Sequence, residues 1–405
     1  MNVLMISPGY PDEMPYFCRA LSWVGANVYG ISDQPLWSQP QLVRDHLAGY
    51  LQSPTLWDED AVVQYVLRYA APLKIDRVVC LWEPGMILAA RLREALGTPG
   101  MTVAETLPFR DKDVMKNVLA EAGIRTPHHA RAAGEKQIAA AAKKIGYPVI
   151  LKPLAGAGSA DTHRVNSASD LKTVLPQIAH LPEVDVEEFI DGEEYTFDTI
   201  CVNGEIKYYS MTWYRPRPLV ARTNEWISPQ ILMLRDVEAD YLAEGREMGR
   251  AVLRALKFRT GFTHMEWYKK ANGEVVFGEI AARPPGANSV DVMNYASNID
   301  LYVGWAEARV HLRFTQPVER KYNAAIIYKR AQGEGQIREI HGVEALRQRY
   351  GDAVVVVNLL PIGAHRRNWK QTLISDGYLI VRHPDLDTLL EIADAAGTDV
   401  NLYAG

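Results

Sequence analysis

The chain has 405 residues, 48% of them hydrophobic and 23% charged, with a formal net charge of −5. That length exceeds what one hydrophobic core serves and points to two or three packed domains. The mildly acidic balance argues against a general nucleic-acid grip, which wants a basic surface, and no apolar run reaches the length of a membrane span. Cys18, Cys80 and Cys201 are widely spaced and odd in number, which favours a reducing cytoplasmic setting with no disulfide framework and no zinc cluster. The amino terminus, Met1 to Gly9, lacks the charged and long apolar regions of a signal peptide and reads as a buried strand running into a turn.

Residues 1–104 alternate short apolar strands with helical stretches, at Asn2 to Ser7, Tyr16 to Val24, Ala26 to Ser32 and Val78 to Leu81. That rhythm predicts a parallel, Rossmann-like α/β sheet. The fingerprint glycines of a dinucleotide site are missing from Ser7-Pro8-Gly9-Tyr10-Pro11, so no bound dinucleotide is expected. From Arg110 the pattern changes. Asp111 to Lys116 opens an amphipathic helix that runs to Ala122 and stops at Gly123. An alanine-rich helix, Lys136 to Ile145, precedes a buried strand, Pro148 to Pro153, and a loop of small residues, Leu154 to Ala160. Lys152 points toward that loop, where bare backbone N–H groups can approach phosphate while an ammonium supplies charge. A lysine in such a place is also commonly just a solvated residue. The loop fits neither Walker A nor the dinucleotide motif.

Strands follow at Val184 to Ile190, Tyr195 to Val202 and Glu205 to Trp213, the last two joined by Asn203-Gly204. The stretch Val186 to Asp198 sets six carboxylates around one glycine turn, either a solvated acidic turn or a source of backbone groups and a carboxylate for a nucleoside. Arg215, Arg217 and Arg222 sit in a proline-stiffened loop, a clamp for a substrate carboxylate or a solvated basic loop. A helix from Ala239 to Leu256 leads to strands Phe262 to Tyr268 and Glu274 to Ile280. Read as a two-residue type I′ turn, Asn272-Gly273 pairs Ala271 with Glu274 and sets Glu266 opposite Glu279. Like charges so placed are destabilising unless neutralised, and Mg2+ typically sits between one or two carboxylates and substrate phosphates. Counting by twos puts Phe262, His264, Glu266 and Tyr268 on one face with Phe277, Glu279, Ala281 and Arg283. His264 on that face is a candidate base or a hydrogen-bonded structural histidine. Strands at Ala324 to Arg330, Val354 to Leu359 and Gly377 to Arg382 and a helix from Leu386 to Ala396 complete the chain.

Lys112, the Val149-Ile150-Leu151-Lys152-Pro153 strand with its loop, the segment Val186 to Thr196, Glu266, and Glu279-Ile280-Ala281-Ala282-Arg283 occur in the order seen in the ATP-grasp superfamily, which the chain resembles over roughly residues 105 to 310. The resemblance implies a mixed α/β and α+β, ATP-grasp fold. Its parts would be a Rossmann-like pre-ATP-grasp domain (1–104), ATP-grasp subdomains A (105–185) and B (186–314, with the metal site) and a C-terminal closing subdomain (315–405). It further implies ATP and one or two Mg2+ ions, with Mn2+ as a substitute. Lys112, Lys152, Gly156, Gly158 and Ser159 would meet the phosphates. Glu187, Glu188, Phe189 and Ile190 would line the adenine, and Glu194 the ribose. Glu266 and Glu279 would hold the metal, and Arg283, with Lys152, would serve catalysis at an acyl phosphate. Family members commonly carry an asparagine two residues after the second metal glutamate, where this chain has Ala281. That departure puts a second ion in question, or leaves its ligands to water, Asn288 or substrate.

A carboxylate is a poor electrophile, and ATP-grasp enzymes phosphorylate it so that an amine can displace phosphate. Such chemistry demands lysines, Mg2+ and an arginine around one small volume. The expected activity is ligation of a small-molecule carboxylate to an amine, an amino acid or similar, with Arg215, Arg217, Arg222, His264 and Asn288 as substrate-side candidates. Two other readings stand beside it: a biotin-carboxylase-like or purine-biosynthetic member of the superfamily, and a regulatory ATP-binding protein that has lost turnover. No nucleic-acid or membrane partner is expected, and a homodimer is left open.

Overall fold

A computed structural model describes residues 1–154, 161–372 and 374–405. Strands β1 (Asn2–Ile6), β2 (Asn27–Ser32), β3 (Gly49–Gln52) and β4 (Arg77–Cys80) form a parallel sheet in the order β3-β2-β1-β4. A parallel strand covered on both faces must be apolar throughout. Val3, Leu4, Met5 and Ile6 in β1 are accordingly all buried. The predicted Rossmann-like sheet is present.

Strands β5 (His129–Ala132), β6 (Val149–Pro153), β7 (His163–Val165) and β8 (Val184–Glu188) make an antiparallel sheet, ordered β5-β8-β6-β7. The alanine-rich helix, Gly134–Ile145, packs Ile138 and Ala142, four apart and so on one face, against Val149, Leu151 and Val186. The helix Lys112–Glu121 starts where Asp111 Oδ1 accepts from the backbone N–H groups of Asp113 (3.0 Å) and Val114 (3.1 Å). The expected boundary between residues 185 and 186 falls inside β8, whose hydrogen bonding continues through Glu188.

The largest sheet is antiparallel. It contains β9 (Glu193–Val202), β10 (Glu205–Arg215), β11 (Gln230–Met233), β12 (Gly261–Lys269), β13 (Val275–Ala281), β14 (Asn323–Tyr328), β17 (Val354–Leu359) and β18 (Gly377–His383), in the order β13-β12-β9-β10-β11-β14-β18-β17. Residues expected to form a separate closing subdomain thus extend the sheet that carries β12 and β13. Among the described residues of that segment, only the short strands β15 (Gln332–Gly333), β16 (Ile337–His341) and β19 (Asn401–Ala404) make a sheet of their own. The first domain is joined to the rest by a shared core. Phe17, on helix Met14–Trp23, meets Tyr302 and Trp305 of helix Leu301–His311 edge-on, with centroids 4.8 and 5.1 Å apart.

Two Asn-Gly pairs turn differently. Asn203 and Gly204 both have positive φ (51° and 89°), the type I′ geometry expected of them. In the second pair only Gly273 does (89°), Gly273 N–H bonds Lys270 O and Lys270 N–H bonds Glu274 O, so the loop holds three residues and Ala271 does not pair with Glu274. The hairpin is therefore one step out of the expected register at Lys269↔Val275, Tyr268↔Val276 and Trp267↔Phe277. A β-bulge at Gly278 then restores it, and Glu266 faces Glu279 as expected. The bulge also turns Phe277 away from the acidic face and into the core with Met265, Trp267 and Ile280, which corrects its predicted placement. Gly278 is required because a Cβ there would lie 2.8 Å from Glu266 O.

Candidate nucleotide and metal site

The four-stranded sheet and the largest sheet enclose a cavity of about 780 Å³, open solvent included, lined by Lys112, Lys152, Glu187 to Ile190, Glu194, Arg217, Glu266, Tyr268 and Glu279. Its mixture of apolar and charged walls suits a small-molecule ligand. β6 and β8 bring Lys152 and the Glu187–Glu188 pair from one side, while β9, β12 and β13 bring Glu194, Glu266 and Glu279 from the other. Helix Lys112–Glu121 adds its first residue at the seam.

The ammonium groups of the cavity rest on its acids. Lys112 Nζ is 3.3 Å from Glu279 Oε2, and Lys152 Nζ is 2.7 Å from Glu187 Oε1. Burial alone would push the Glu279 carboxyl up, yet Lys112 and Lys152 outweigh it and hold the group well below the ordinary carboxylate range. Lys152 moves down, chiefly through burial, with the Lys112 charge adding to the effect. Lys116, fully buried one helical turn beyond Lys112, contacts Asp185 and Glu187 and therefore fixes the carboxylate that Lys152 rests on. Burial and the neighbouring Lys152 lower it to about 7, against the opposing pull of Asp185.

At the other end of the cavity, Glu194 is buried and its carboxyl is raised by burial, then by the charge of Glu266, with Arg217 opposing at 3.2 Å. Arg217 also donates to Ile190 O at 2.8 Å and lies over the rings of Tyr268 (4.9 Å) and Phe189 (5.2 Å). It belongs to this cavity and not to a separate three-arginine clamp. Arg125 holds both oxygens of Glu188, at 2.9 and 3.0 Å, and so fixes the strand end beside Phe189.

Glu266 and Glu279 stand directly opposite. Glu266 Oε1 also accepts from the Tyr214 hydroxyl at 3.4 Å and lies 3.5 Å from His264 Nε2. No group of three or more His, Cys, Asp or Glu suited to a metal occurs among the described residues. A divalent ion between these two carboxylates would thus take its remaining oxygens from phosphate or water, the usual arrangement for Mg2+. Ala281, with no side-chain oxygen, faces His264. His264 Nδ1 is 2.6 Å from Asp198 Oδ1, and Asp198 Oδ2 accepts from Thr196 Oγ1 at 2.6 Å. Although burial opposes it, Asp198 raises His264 to about 9, which favours the protonated, hydrogen-bonded ring.

Arg283 donates through Nε to Glu83 Oε2 at 2.7 Å, and Arg110 contacts the other oxygen of the same carboxylate. Glu83 thus crosses from the first domain to aim both guanidiniums. Three predicted substrate residues are placed elsewhere. Arg215 bonds Gln230 and Asp394. Arg222 lies half-buried on the short helix Pro218–Thr223 with no partner for Nε. Asn288 donates its backbone N–H to Glu13 (2.7 Å) and its Nδ2 to Asp291 (3.2 Å), while its buried Oδ1 has no partner among the described residues. Gly156, Gly158 and Ser159 lie outside the described residues. Sequence reasoning missed Glu83, Arg110, Lys116, Asp198 and Tyr214. Only Lys116 carried a local signal, as a lysine four residues after Lys112 on the inward face of an amphipathic helix.

Residues 145–291 match the family description of an ATP-grasp domain. Over 234 residues the chain is 28% identical to an L-arginine-specific L-amino acid ligase of Bacillus subtilis, covering 56% of each protein. Over 108 residues it is 35% identical to the D-alanine–D-alanine ligase of Pseudomonas entomophila, covering 26% of this chain and 34% of that one. The chain therefore spans about half the length, or less, of these curated relatives. Its fold is similar to the crystal structure of an L-amino acid ligase from Bacillus licheniformis, with a TM-score of 0.80 at 18% identity, across 100% of this chain and 98% of that one. The chain thus carries an ATP-grasp domain at residues 145–291, within a fold that is similar over its whole length to that of an L-amino acid ligase.

Proposed function

We propose that the protein is an ATP-dependent carboxylate–amine ligase. It would phosphorylate a substrate carboxylate with the γ-phosphoryl group of ATP, and an amine would then attack the acyl carbon and expel phosphate, leaving ADP and a new C–N bond. The supporting observation is the convergence of Lys112, Lys152, Glu266 and Glu279 on one cavity, with Arg283 held beside them by Glu83. In this reading Lys152 and Lys112 leave Glu187 and Glu279 to hold phosphate oxygens. The Glu188–Ile190 segment borders the base, and Glu194, positioned by Arg217, faces the ribose. Glu266 and Glu279 would hold Mg2+, or Mn2+ in its place; when bound, the ion supplies positive charge against the phosphate oxygens. Arg283 stabilises negative charge developing on the acyl phosphate.

The names of the similar ligases make amino acids the first choice for both substrates. Phosphate release from MgATP should be measured with amino acids and other carboxylates, singly and in pairs. Release that requires two partners, together with a condensed product, is the expected result. Release driven by bicarbonate without an amine would assign the protein to a carboxylating branch, and no release with any pair would remove the ligase reading.

A further inference from the structure

A second cavity, about 490 Å³ with open solvent included, lies between the end of β4 and the start of β12, away from the nucleotide site. Its walls are mostly apolar, with Leu81, Met86, Met101, Phe262 and Trp305 among them, and two arginines, Arg93 and Arg309, complete it. Arg93 is only 8% exposed. Its Nε donates to Met101 O at 2.8 Å and one terminal nitrogen to Val78 O at 3.3 Å. Arg309 donates to Thr260 O at 2.9 Å. All these acceptors are neutral carbonyls, and they use only part of the five donors that each guanidinium carries. Among the described residues neither arginine has an ion pair.

Two like charges, Arg93 buried and Arg309 half-buried, therefore lie beside one cavity, and desolvation lowers both to about 10, with Arg93 adding to the shift at Arg309. The carboxylates whose charge reaches Arg93 are occupied elsewhere: Glu94 accepts from Val103 N–H at 2.8 Å and Glu105 from Thr102 N–H at 2.9 Å. The arrangement of Arg93 is built into the chain, because a Cβ on Gly100 would lie 2.5 Å from Arg93 Cδ. Buried cations without a counter-charge are costly, and a bound anion removes that cost.

We propose that this cavity binds a small organic anion: a monocarboxylate with a compact apolar group, its carboxylate on Arg93 and Arg309 and its apolar part against Met86, Phe262 and Trp305. The two guanidiniums supply the recognition, and the apolar wall favours such a ligand over inorganic phosphate. Its occupant would bridge the first domain and the largest sheet, one residue from Arg283 through Ala282.

The test is calorimetric titration of sodium isovalerate into the full chain saturated with Mg2+ and a non-hydrolysable ATP analogue. One isovalerate per chain is expected. Binding should weaken at least about tenfold in Arg309→Gln, the loss of roughly one charge-assisted contact. Ala89→Met, which adds bulk to the cavity lining and leaves both guanidiniums in the chain, should weaken it similarly and decides the matter if Arg309→Gln does not fold. Absence of isovalerate binding, binding unchanged in the folded variants, or tighter binding of inorganic phosphate at the same site would overturn the proposal.

Discussion

Lys152, Glu187 and Lys116 form a row in which each side chain is held by the next, and the same holds for Arg110, Glu83 and Arg283. Both rows join residues far apart in sequence, which is why Lys152, Glu187 and Arg283 were named from the sequence while Lys116, Arg110 and Glu83 were not. A strand-end lysine and a post-strand arginine carry local pattern; a glutamate 200 positions from its partner does not. If Glu83 aims Arg283, Glu83→Gln leaves the arginine with a weaker, neutral acceptor. The expected outcome is a fall of about tenfold or more in kcat with little change in KM for ATP, corresponding to one charged hydrogen bond lost near the reacting group. Steady-state kinetics at saturating ATP checks it. His264 rests on Asp198, with Nδ1 2.6 Å from Oδ1, and, although burial opposes it, that neighbour raises its pKa.

At the scale of elements, the hairpin shows how a correct pairing can follow from two compensating irregularities. The Asn-Gly signal located both turns, but the dipeptide does not fix φ at Asn272, and the extra loop residue would have separated the glutamates had Gly278 not bulged. Gly278→Ala should cost about 1–3 kcal/mol, because the added Cβ meets backbone that cannot swing aside. Urea unfolding measures it, and loss of MgATP binding should accompany it if the Glu266–Glu279 pairing shifts. The final helix, Leu386–Asp399, is fastened by Lys329, which donates to Ala396 O (3.3 Å) and Gly397 O (2.6 Å) near its carboxyl end. Burial lowers Lys329 from 10.5 to about 8. The unfolded chain therefore holds a proton that the folded one releases between these values, so stability should rise with pH from about 8 to about 10.5. Urea melts across that range should show a shallower rise in Lys329→Met than in the wild type.

For the molecule as a whole, the parallel amino-terminal sheet and the strands that line the cleft were legible because buried strands and amphipathic helices repeat at short range. The joining of the last ninety or so residues to the largest sheet was not, since β11–β14 pairing is a long-range choice made by packing. The consequence is functional. Glu83 reaches the cleft from a domain that a bare ATP-grasp core would lack, and the core shared by Phe17, Tyr302 and Trp305 holds that domain in place.

All of these features serve a claim that can be measured directly: MgATP occupies the cleft between β6–β8 and β12–β13. Calorimetric titration of a non-hydrolysable ATP analogue, with Mg2+ and again with EDTA, into the wild type and into folded Glu279→Gln and Lys152→Ala variants is the decisive measurement. One site per chain that needs Mg2+ and weakens at least about tenfold in each variant is the predicted result. Binding that ignores both the metal and the two substitutions, or no binding at all, would contradict the account.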